Sequence, residues 1–401
     1  MSEKHSDVAH AISVDLIKAL LSPCERDNPP FFFAAQKVKE MQDKLNCSQS
    51  ELMLGLAFLA QPYAVCPISQ FAVGACVLGI SGNAYLGVNV EFLRTQLNQT
   101  VHAEQCAITN AWNNMEKDIV LIATTETPCG YCRQFMSELP SFNTFQVVVE
   151  GRKQVLLRDL ISDAFRPSAL HIDQTQENMS LFQYRNDDAF LHLDRYWKDS
   201  NVEDKDAKEQ LNELKDIVQI IFERSFKRSY SPFLLTKRSP SSIGILVRKE
   251  LVEQTFIPRS KQPSSSSSSS TSSSSSSFHV LHRLFSGALI ENVSFNPSIQ
   301  PFQSSVISMI CGNSEYQVIK RNRQERIDEE EQQQEQQEEQ EDVIIRRNIR
   351  ELLHNGMNWD DIIDNIILIE DYDASITIQR EFIAGISHNI APHAKYAYLN
   401  D

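Results

Sequence analysis

Two short stretches of the sequence carry side chains that could bind a metal ion. Residues 100–105 read TVHAEQ, and they supply an imidazole at His102 and a carboxylate two residues later at Glu104. Residues 127–132 read TPCGYC, and they supply the thiols of Cys129 and Cys132. Thiolate sulfur and imidazole nitrogen are ligands that zinc prefers in proteins. The sequence therefore predicts one zinc ion (Zn2+) per chain, held by His102, Cys129 and Cys132.

Each part of this pattern is ambiguous when it is taken alone. A single histidine is more often structural, and a Cys-x-x-Cys pair also occurs in redox sites and structural zinc sites. The combination favours a catalytic site, because three protein ligands leave the fourth position of a tetrahedral zinc open. Cys129 is also predicted to begin a helix, where the backbone amides and the helix dipole stabilise a thiolate.

Glu104 is a group that a purely structural zinc site does not need. Zinc makes water acidic enough to act as a nucleophile at neutral pH, and a neighbouring carboxylate can accept and return protons. The order H-x-E followed by P-C-x-x-C is the pattern of zinc-dependent deaminases of nucleobases. We therefore expect Glu104 to move protons while water replaces an exocyclic amine and ammonia leaves.

The composition of the chain limits the classes of protein to which it can belong. With 401 residues and 41% hydrophobic content, the chain is long enough for two folded domains. Its net charge is −15, and residues 321–342 hold ten acids and three arginines, so that this tract carries −7 and the rest −8. An acidic folded part argues against a nucleic-acid partner, and no apolar run reaches the ~20 residues of a membrane span. Eight cysteines without a secretory leader predict reduced thiols in a cytosolic (cytoplasmic) protein.

Strands and helices alternate around the two motifs. The sequence SQSE at 48–51 is a capping box, and it begins an apolar helix that we place in the core. Helices are also predicted to begin near His102 and Cys129. We predict strands at 71–80, 84–92, 119–125 and 145–150. This alternation predicts an α/β fold, in which a mixed β-sheet flanked by helices forms an α-β-α sandwich, with additional N-terminal helices.

The second half of the chain contains a faint copy of the first. Residues 87–92 read GVNVEF, and residues 287–293 read GALIENV. His102 lies eleven residues past Glu91, and the residue eleven positions past Glu291 is Phe302. No second Cys-x-x-Cys follows. The sequence predicts a duplicated domain whose second copy is degenerate and binds no metal, with chance similarity as the alternative.

Composition also suggests where the regions of the chain begin and end. We predict an N-terminal helical region at 1–47, a catalytic zinc deaminase domain at 48–167, a linker or insertion at 168–205 and the degenerate domain at 206–401. The linker is polar and aperiodic, whereas Leu211, Leu214 and Val218 mark an amphipathic helix after it. A serine-rich tract at 260–277 and a Gln/Glu tract at 321–342 are predicted to be disordered inserts, since neither can bury apolar surface. A solvated helix is the alternative for the Gln/Glu tract.

On these residues the chain resembles the cytidine deaminase family. The similarity runs through NVEF at 89–92, QTVHAEQ at 99–105, TPCGYCRQFM at 127–136, LRDLISDAF at 157–165 and, in the second half, ENVSFNP at 291–297. The form it resembles is the larger, homodimeric bacterial type, which has an N-terminal helical region, a catalytic domain and a degenerate C-terminal domain. The polar insertion near 171–205 and the two low-complexity tracts depart from that pattern.

The resemblance implies roles for five further residues. Phe71 would pack on the pyrimidine ring, Asn89 and Glu91 would hydrogen-bond the ribose hydroxyls, and the backbones of Ala103 and Thr127 would bind the base and its amine. For Asn89 and Glu91 the alternative is that they satisfy backbone groups at the end of a strand. The resemblance also implies deamination of cytidine and 2'-deoxycytidine to uridine and 2'-deoxyuridine in pyrimidine salvage, by a homodimer in which the partner subunit completes the pocket.

Two other kinds of function stay open at the level of sequence. One is a deaminase of a nucleotide, a nucleic acid or a modified nucleoside. Phosphate groups would need cationic partners, and residues 71–135 offer only Arg94, Lys117 and Arg133. The other is a non-catalytic zinc-binding scaffold, which would have no use for Glu104. We therefore predict an enzyme, a hydrolase that acts on a cyclic amidine.

Overall fold

The structure, a computed structural model, describes residues 8–170, 181–182, 205–232, 241–248, 283–313, 353, 359–370 and 395–400. The two predicted low-complexity inserts, at 260–277 and 321–342, lie outside these residues. Most of the predicted linker at 168–205 lies outside them as well.

The helices and strands follow one another in two similar series. The strands are β1 Val8–Ala9, β2 Phe32–Phe33, β3 Gly74–Gly79, β4 Ala84–Val88, β5 Ile119–Thr124, β6 Gln146–Val149, β7 Arg152–Lys153, β8 Val155–Leu156, β9 Ser241–Val247, β10 Leu284–Ala288, β11 Ile363–Glu370 and β12 Lys395–Asn400. The α-helices are α1 Val14–Ala19, α2 Pro23–Asp27, α3 Ala35–Leu45, α4 Gln49–Ala60, α5 Ala103–Asn113, α6 Gly130–Met136, α7 Leu157–Leu160, α8 Lys205–Arg224, α9 Pro301–Ile310 and α10 Trp359–Ile362.

The first half is built on a six-stranded mixed sheet with the strand order β2-β4-β3-β5-β6-β8. Strand β3 is antiparallel to both β4 and β5, whereas β5 and β6 are parallel and are connected through α6. The predicted hairpin and the two later strands are confirmed. Strand β3 begins at Gly74 and not at Phe71, since the Phe71 carbonyl and the Val73 amide bond to the side chain of Asn89.

Helices cover both faces of this sheet. A Cβ atom on Gly74 would lie 2.1 Å from the carbonyl oxygen of Ala57 in α4, and one on Gly87 would lie 2.2 Å from the amide nitrogen of Ala107 in α5. Ala75 follows Gly74 and pairs with Gly87, so the two glycines face opposite sides of the sheet, because side chains alternate along a strand. Helices α4 and α5 therefore pack on opposite faces, which confirms the predicted α-β-α sandwich.

Helix α4 lies in the core, as predicted. Its capping box is present, since the Glu51 amide donates to the Ser48 hydroxyl at 3.3 Å and the Ser48 amide donates to the Glu51 carboxylate at 2.7 Å. The side chains behind the cap, from Leu52 to Leu56, are buried. The N-terminal helices α1 and α3 pack against α4, so the N-terminal region adds a layer to this sandwich.

The second half repeats the central part of the first. Its four-stranded sheet has the order β10-β9-β11-β12, which matches β4-β3-β5-β6. Strand β9 is antiparallel to β10 and β11, and β11 is parallel to β12. Helix α9 follows β10 as α5 follows β4, and Gly287 approaches the backbone of α9 as Gly87 approaches that of α5. The predicted duplication is confirmed.

The register of the two copies differs from the expected one. Gln300 immediately precedes α9, as His102 immediately precedes α5. The Gln300 amide donates to Gln303 at 2.8 Å, and the His102 amide donates to Gln105 at 3.1 Å. The counterpart of His102 is therefore Gln300, and pairing it with Phe302 was wrong. The segment from the shared glutamate to the helix is nine residues long in the second copy and eleven in the first.

One large hydrophobic core runs through both halves, and a second, smaller cluster lies between α8 and the sheet of the second half. Helices α5 and α9 pack against each other, and the rings of Phe92 and Phe302 meet with their centroids 6.1 Å apart. Within the expected polar linker, Leu181 and Phe182 are buried, and Phe182 packs edge-on against Trp112 at 5.6 Å. Both residues therefore belong to the hydrophobic core. None of the helices in the described segments is both long enough and apolar enough to cross a membrane.

Candidate active site

The imidazole and the two thiols lie together where two helices begin. His102 immediately precedes α5, Cys129 immediately precedes α6, and Cys132 lies in the first turn of α6. The sulfur of Cys129 is 3.6 Å from Nδ1 of His102. The ligand atoms of all three side chains lie within 4.8 Å of one another, and they form the one such group among the described residues.

This donor set fits a zinc ion. Tetrahedral zinc with bonds of about 2.3 Å to sulfur and about 2.0 Å to nitrogen separates those two atoms by about 3.5 Å, close to the observed 3.6 Å between Cys129 and His102. Cys106, one turn further along α5, faces Cys311 with the sulfurs 4.0 Å apart and is not part of the group. The site therefore offers three protein ligands.

The two thiols occupy different electrostatic environments. A hydrogen bond from Cys132 is the main cause that lowers the pKa of Cys129 to about 3, and a hydrogen bond from His102 acts in the same direction. The bond with Cys129 in turn raises the pKa of His102. Burial raises the pKa of Cys132. The thiol of Cys129 is therefore the more acidic of the two.

Glu104 lies in the first turn of α5, two residues past His102. Only 5% of the residue is exposed. Burial is the main cause that raises the pKa of Glu104, and the charges of His102 and Cys129 and a hydrogen bond with Cys132 also affect it. The carboxyl group is thus close to the donor set without belonging to it, which is the position expected of a proton carrier.

Arg133 fixes the loop that leads into Cys129. Its Nε donates to the carbonyl of Pro128 at 2.9 Å, and its Nη1 donates to the carbonyl of Leu160 at 3.3 Å. The guanidinium group therefore binds the protein's own backbone, directly beside the first thiol.

Asn89 and Glu91 are buried and bind the backbone of the loop that carries Phe71. Asn89 accepts from the amide of Val73 at 2.8 Å and donates to the carbonyl of Phe71 at 2.9 Å. Glu91 Oε2 accepts from the amides of Ile68 and Ser69 at 2.8 and 3.0 Å. This is the alternative expected for residues at a strand end. Both side chains can still hydrogen-bond a ligand. The Asn89 amide has a second hydrogen, and Glu91 Oε1 accepts no bond among the described residues.

The remaining predicted residues lie in the segments next to the two motifs and in the loop that Asn89 holds. Ala103 is the buried first residue of α5, and Thr127 is exposed in the loop between β5 and α6. Phe71 is 56% exposed, and its loop is held by Asn89. Val90 pairs with Val101 in an isolated bridge, which brings the end of β4 next to His102.

Two residues inside the motifs have contacts that the sequence did not predict. Gln105 is buried, accepts a hydrogen bond from the His102 amide at 3.1 Å and donates to the carbonyl of Pro297 at 2.8 Å. The ring of Tyr131 stacks on that of His102, with centroids 5.5 Å apart. A capping-box pattern could have indicated the first contact of Gln105. No local signal indicated the contact with Pro297, which is distant in sequence.

Comparison with known proteins identifies the family. Residues 47–148 and 157–337 match two sequence models that are both described as the cytidine and deoxycytidylate deaminase zinc-binding region. A cytidine deaminase of Proteus mirabilis (strain HI4320) is 32% identical over 298 residues, which cover 74% of this chain and 81% of that protein. The chain belongs to the cytidine deaminase family. The family match confirms the predicted zinc cofactor and the larger, two-domain bacterial type.

Other relatives agree with this assignment. A cytidine deaminase of Sodalis glossinidius (strain morsitans) is 33% identical over 293 residues, covering 72% of this chain and 78% of that protein. A solved cytidine deaminase from Mycobacterium tuberculosis is 28% identical and covers 30% of this chain and 98% of that one, with a TM-score of 0.27. The assignment rests on the sequence relatives, since that structural overlap is partial.

The second half keeps the cytidine deaminase fold without the chemistry of the first. Its counterpart of His102 is Gln300, and two residues further on Phe302 occupies the position of Glu104. An amide and a phenyl ring can neither hold zinc as these ligands do nor carry a proton. Within the described segments, no group of metal-ligating side chains is found in this half.

Proposed function

We propose that the protein deaminates cytidine and 2'-deoxycytidine by hydrolysis, forming uridine and 2'-deoxyuridine and releasing ammonia. One observation carries the proposal. Two thiols and an imidazole lie within 4.8 Å of one another, and the buried carboxyl group of Glu104 lies beside them. Membership of the cytidine deaminase family supports the same reaction.

In this proposal Nδ1 of His102 and the sulfurs of Cys129 and Cys132 hold one zinc ion per chain. Bound zinc supplies the Lewis acidity that makes water a nucleophile at neutral pH. The fold prepares the ligands by placing His102 and Cys129 at helix N-termini, and the helix dipole favours the anionic thiolate there.

Glu104 moves the protons of the reaction. Water loses one proton to its carboxylate, the water oxygen adds to the carbon that bears the amine, and Glu104 delivers the proton to the ring nitrogen. The second proton of the water then passes through Glu104 to the amine, which leaves as ammonia. Burial raises the pKa of Glu104, which makes its carboxylate a stronger base for the proton of the water.

The polar residues at the end of β4 would select a nucleoside. We assign the ribose hydroxyls to Asn89 and Glu91, the face of the pyrimidine ring to Phe71, and the polar edge of the base to the backbones of Ala103 and Thr127. A compound without the sugar would leave only the remaining amide hydrogen of Asn89 and Oε1 of Glu91 without a ligand partner, and such a loss discriminates between substrates.

A nucleoside fits the site better than a nucleotide does. Of the three cations near the motifs, Arg133 already donates to the carbonyls of Pro128 and Leu160. Two of its N–H groups are therefore engaged with the backbone, which leaves it less free to reach a phosphate group. Activity on CMP should accordingly be far below activity on cytidine.

The working form would be a homodimer in the cytosol, where it would serve pyrimidine salvage. Phe71 is 56% exposed and Phe165 is 44% exposed in the single chain. In the proposed dimer, a second subunit would cover these side chains and complete the pocket. The cytosol suits ligands that must stay reduced, as Cys129 and Cys132 must. Light scattering on the purified chain should give twice its mass, and a monomer would contradict the dimer.

The decisive variant is Glu104→Gln, which keeps the size of the side chain and removes its proton chemistry. It should bind zinc as the unchanged protein does and lose at least about 100-fold in kcat on cytidine. Zinc would be measured by atomic emission and uridine by its absorbance. A zinc-loaded variant that keeps its turnover would refute the role of Glu104, and a higher rate on CMP than on cytidine would refute the substrate.

A further inference from the structure

A loop of the second half lies alongside helix α6 of the first. This 292–298 loop is closed on itself, because the Ser298 hydroxyl accepts from the Asn292 amide at 2.8 Å and donates to the Phe295 carbonyl at 2.5 Å. The side chain of Asn292 also donates to the carbonyl of Gln134 in α6 at 3.3 Å. The loop is therefore a defined structure that is anchored to the C-terminal part of α6.

The other end of the 292–298 loop meets two side chains from the metal motifs. The side-chain amide of Gln105 donates to the carbonyl of Pro297 at 2.8 Å. The hydroxyl of Tyr131 donates to the carbonyl of Asn296. The loop thus presents two consecutive backbone acceptors to the catalytic half.

Both of these side chains also hold His102. Gln105 accepts from the His102 amide at 3.1 Å, which fixes the backbone where α5 begins. Tyr131 stacks on the imidazole at 5.5 Å with an angle of 18° between the planes, which fixes the plane of the ring. One residue therefore sets the position of His102 and the other sets its orientation.

We propose that the 292–298 loop positions the zinc ligand His102 through Gln105 and Tyr131. The second half would thereby act on the metal site of its own chain, although it holds no group of metal-ligating side chains among its described residues. This inference rests on the proposed role of His102 as a ligand. Residues that orient a metal ligand through hydrogen bonds typically change metal affinity or activity by about 10–100-fold when they are replaced.

The duplication supplies a matched control for the interface. Gln303 repeats the contacts of Gln105 in the opposite direction: it accepts from the Gln300 amide and donates to the carbonyl of Gln99, both at 2.8 Å. Gln303→Ala and Gln105→Ala therefore remove equivalent bonds between the two halves. Only Gln105 bonds to the backbone of His102.

The test is the rate at which the full-length, zinc-loaded protein releases zinc to a colorimetric chelator. We expect Gln105→Ala to release zinc at least about tenfold faster than the unchanged protein, and Gln303→Ala to stay within about twofold of it. Ser298→Ala loosens the loop without altering the catalytic half, and Tyr131→Phe removes only the hydroxyl. Both should release zinc faster too, and they keep the proposal testable if Gln105→Ala does not fold.

A second readout separates positioning from simple loss of stability. With cobalt in place of zinc, the visible absorption bands should shift in Gln105→Ala and Tyr131→Phe and stay unchanged in Gln303→Ala. Equal zinc release by Gln105→Ala and Gln303→Ala, or wild-type release by both Ser298→Ala and Tyr131→Phe, would overturn the proposal. Failure of the proposed function is distinct, since the unchanged protein would then retain no zinc or would not deaminate cytidine.

Discussion

Glu138 is a buried carboxyl group at the junction of the two halves, and it should make stability depend on pH. Only 3% of the residue is exposed. Its Oε2 accepts from the Tyr230 hydroxyl at 2.7 Å, and its Oε1 accepts from the Val293 amide at 2.5 Å. Burial is the main cause that raises the pKa of Glu138 from 4.5 to about 7, although both hydrogen bonds and the charge of Arg166 lower it.

The raised pKa of Glu138 determines whether stability rises or falls with pH. Between pH 4.5 and about 7 the folded protein binds the proton of Glu138 more tightly than the unfolded chain does. The associated stability is fully present below pH 4.5 and is lost as the pH rises through about 7. The difference between the two pKa values corresponds to roughly 3 kcal/mol, of which about 2 kcal/mol disappears between about pH 5.5 and about pH 8.

The test variant is Glu138→Gln, because the glutamine side chain does not titrate. Its oxygen can accept from Val293 and its amide can donate to Tyr230, so the local contacts are preserved. We expect urea denaturation to show that the stability of the unchanged protein, relative to the variant, falls by about 2 kcal/mol from about pH 5.5 to about pH 8. Tyr230→Phe should move this fall to higher pH, because the lost hydrogen bond lowers the pKa of Glu138. A difference that stays constant across this pH range would refute the reasoning.

Three further predictions concern packing, substrate binding and the metal. Gly87→Ala should lower the free energy of unfolding by about 1–3 kcal/mol, because its Cβ would lie 2.2 Å from the amide nitrogen of Ala107. Gly130→Ala is the control and should change the free energy of unfolding little, because no other atom lies within 4 Å of the position of its Cβ. Equal effects in urea denaturation would contradict this. Glu91→Gln should raise KM for cytidine about tenfold or more at unchanged zinc content, and loss of zinc would instead assign Glu91 to the metal site. Chelation should lower the Tm of the unchanged protein and not that of Cys132→Ser, since a ligand of the folded state stabilises it.

The features that the sequence predicted are local ones. The capping box at Ser48 and Glu51 and the helix starts at His102 and Cys129 depend on neighbours within about one helical turn, and all of them are present. The donor set was predictable for the same reason, because its spacing within each motif fixes the geometry of a helix N-terminus.

The features that the sequence did not predict depend on contacts between distant segments. The register of the duplication was wrong by two residues, because the connection that leads to Gln300 is shorter than the one that leads to His102. Leu181 and Phe182 were assigned to a polar linker, because two apolar residues in a polar stretch do not show the periodic spacing of a helix or a strand. The raised pKa of Glu138 arises where three segments far apart in sequence enclose one carboxyl group. The predicted domain boundaries and the roles of the substrate-binding residues stay predictions.

Zinc content and turnover, determined on one purified sample, test the central claim most directly. Atomic emission should give about one zinc per chain, and incubation with cytidine should yield uridine and ammonia in equal amounts. Removal of the zinc should abolish the reaction, and its return should restore it. Turnover that continues without zinc, or zinc-loaded protein that does not deaminate cytidine, would contradict a hydrolytic cytidine deaminase built on His102, Cys129, Cys132 and Glu104.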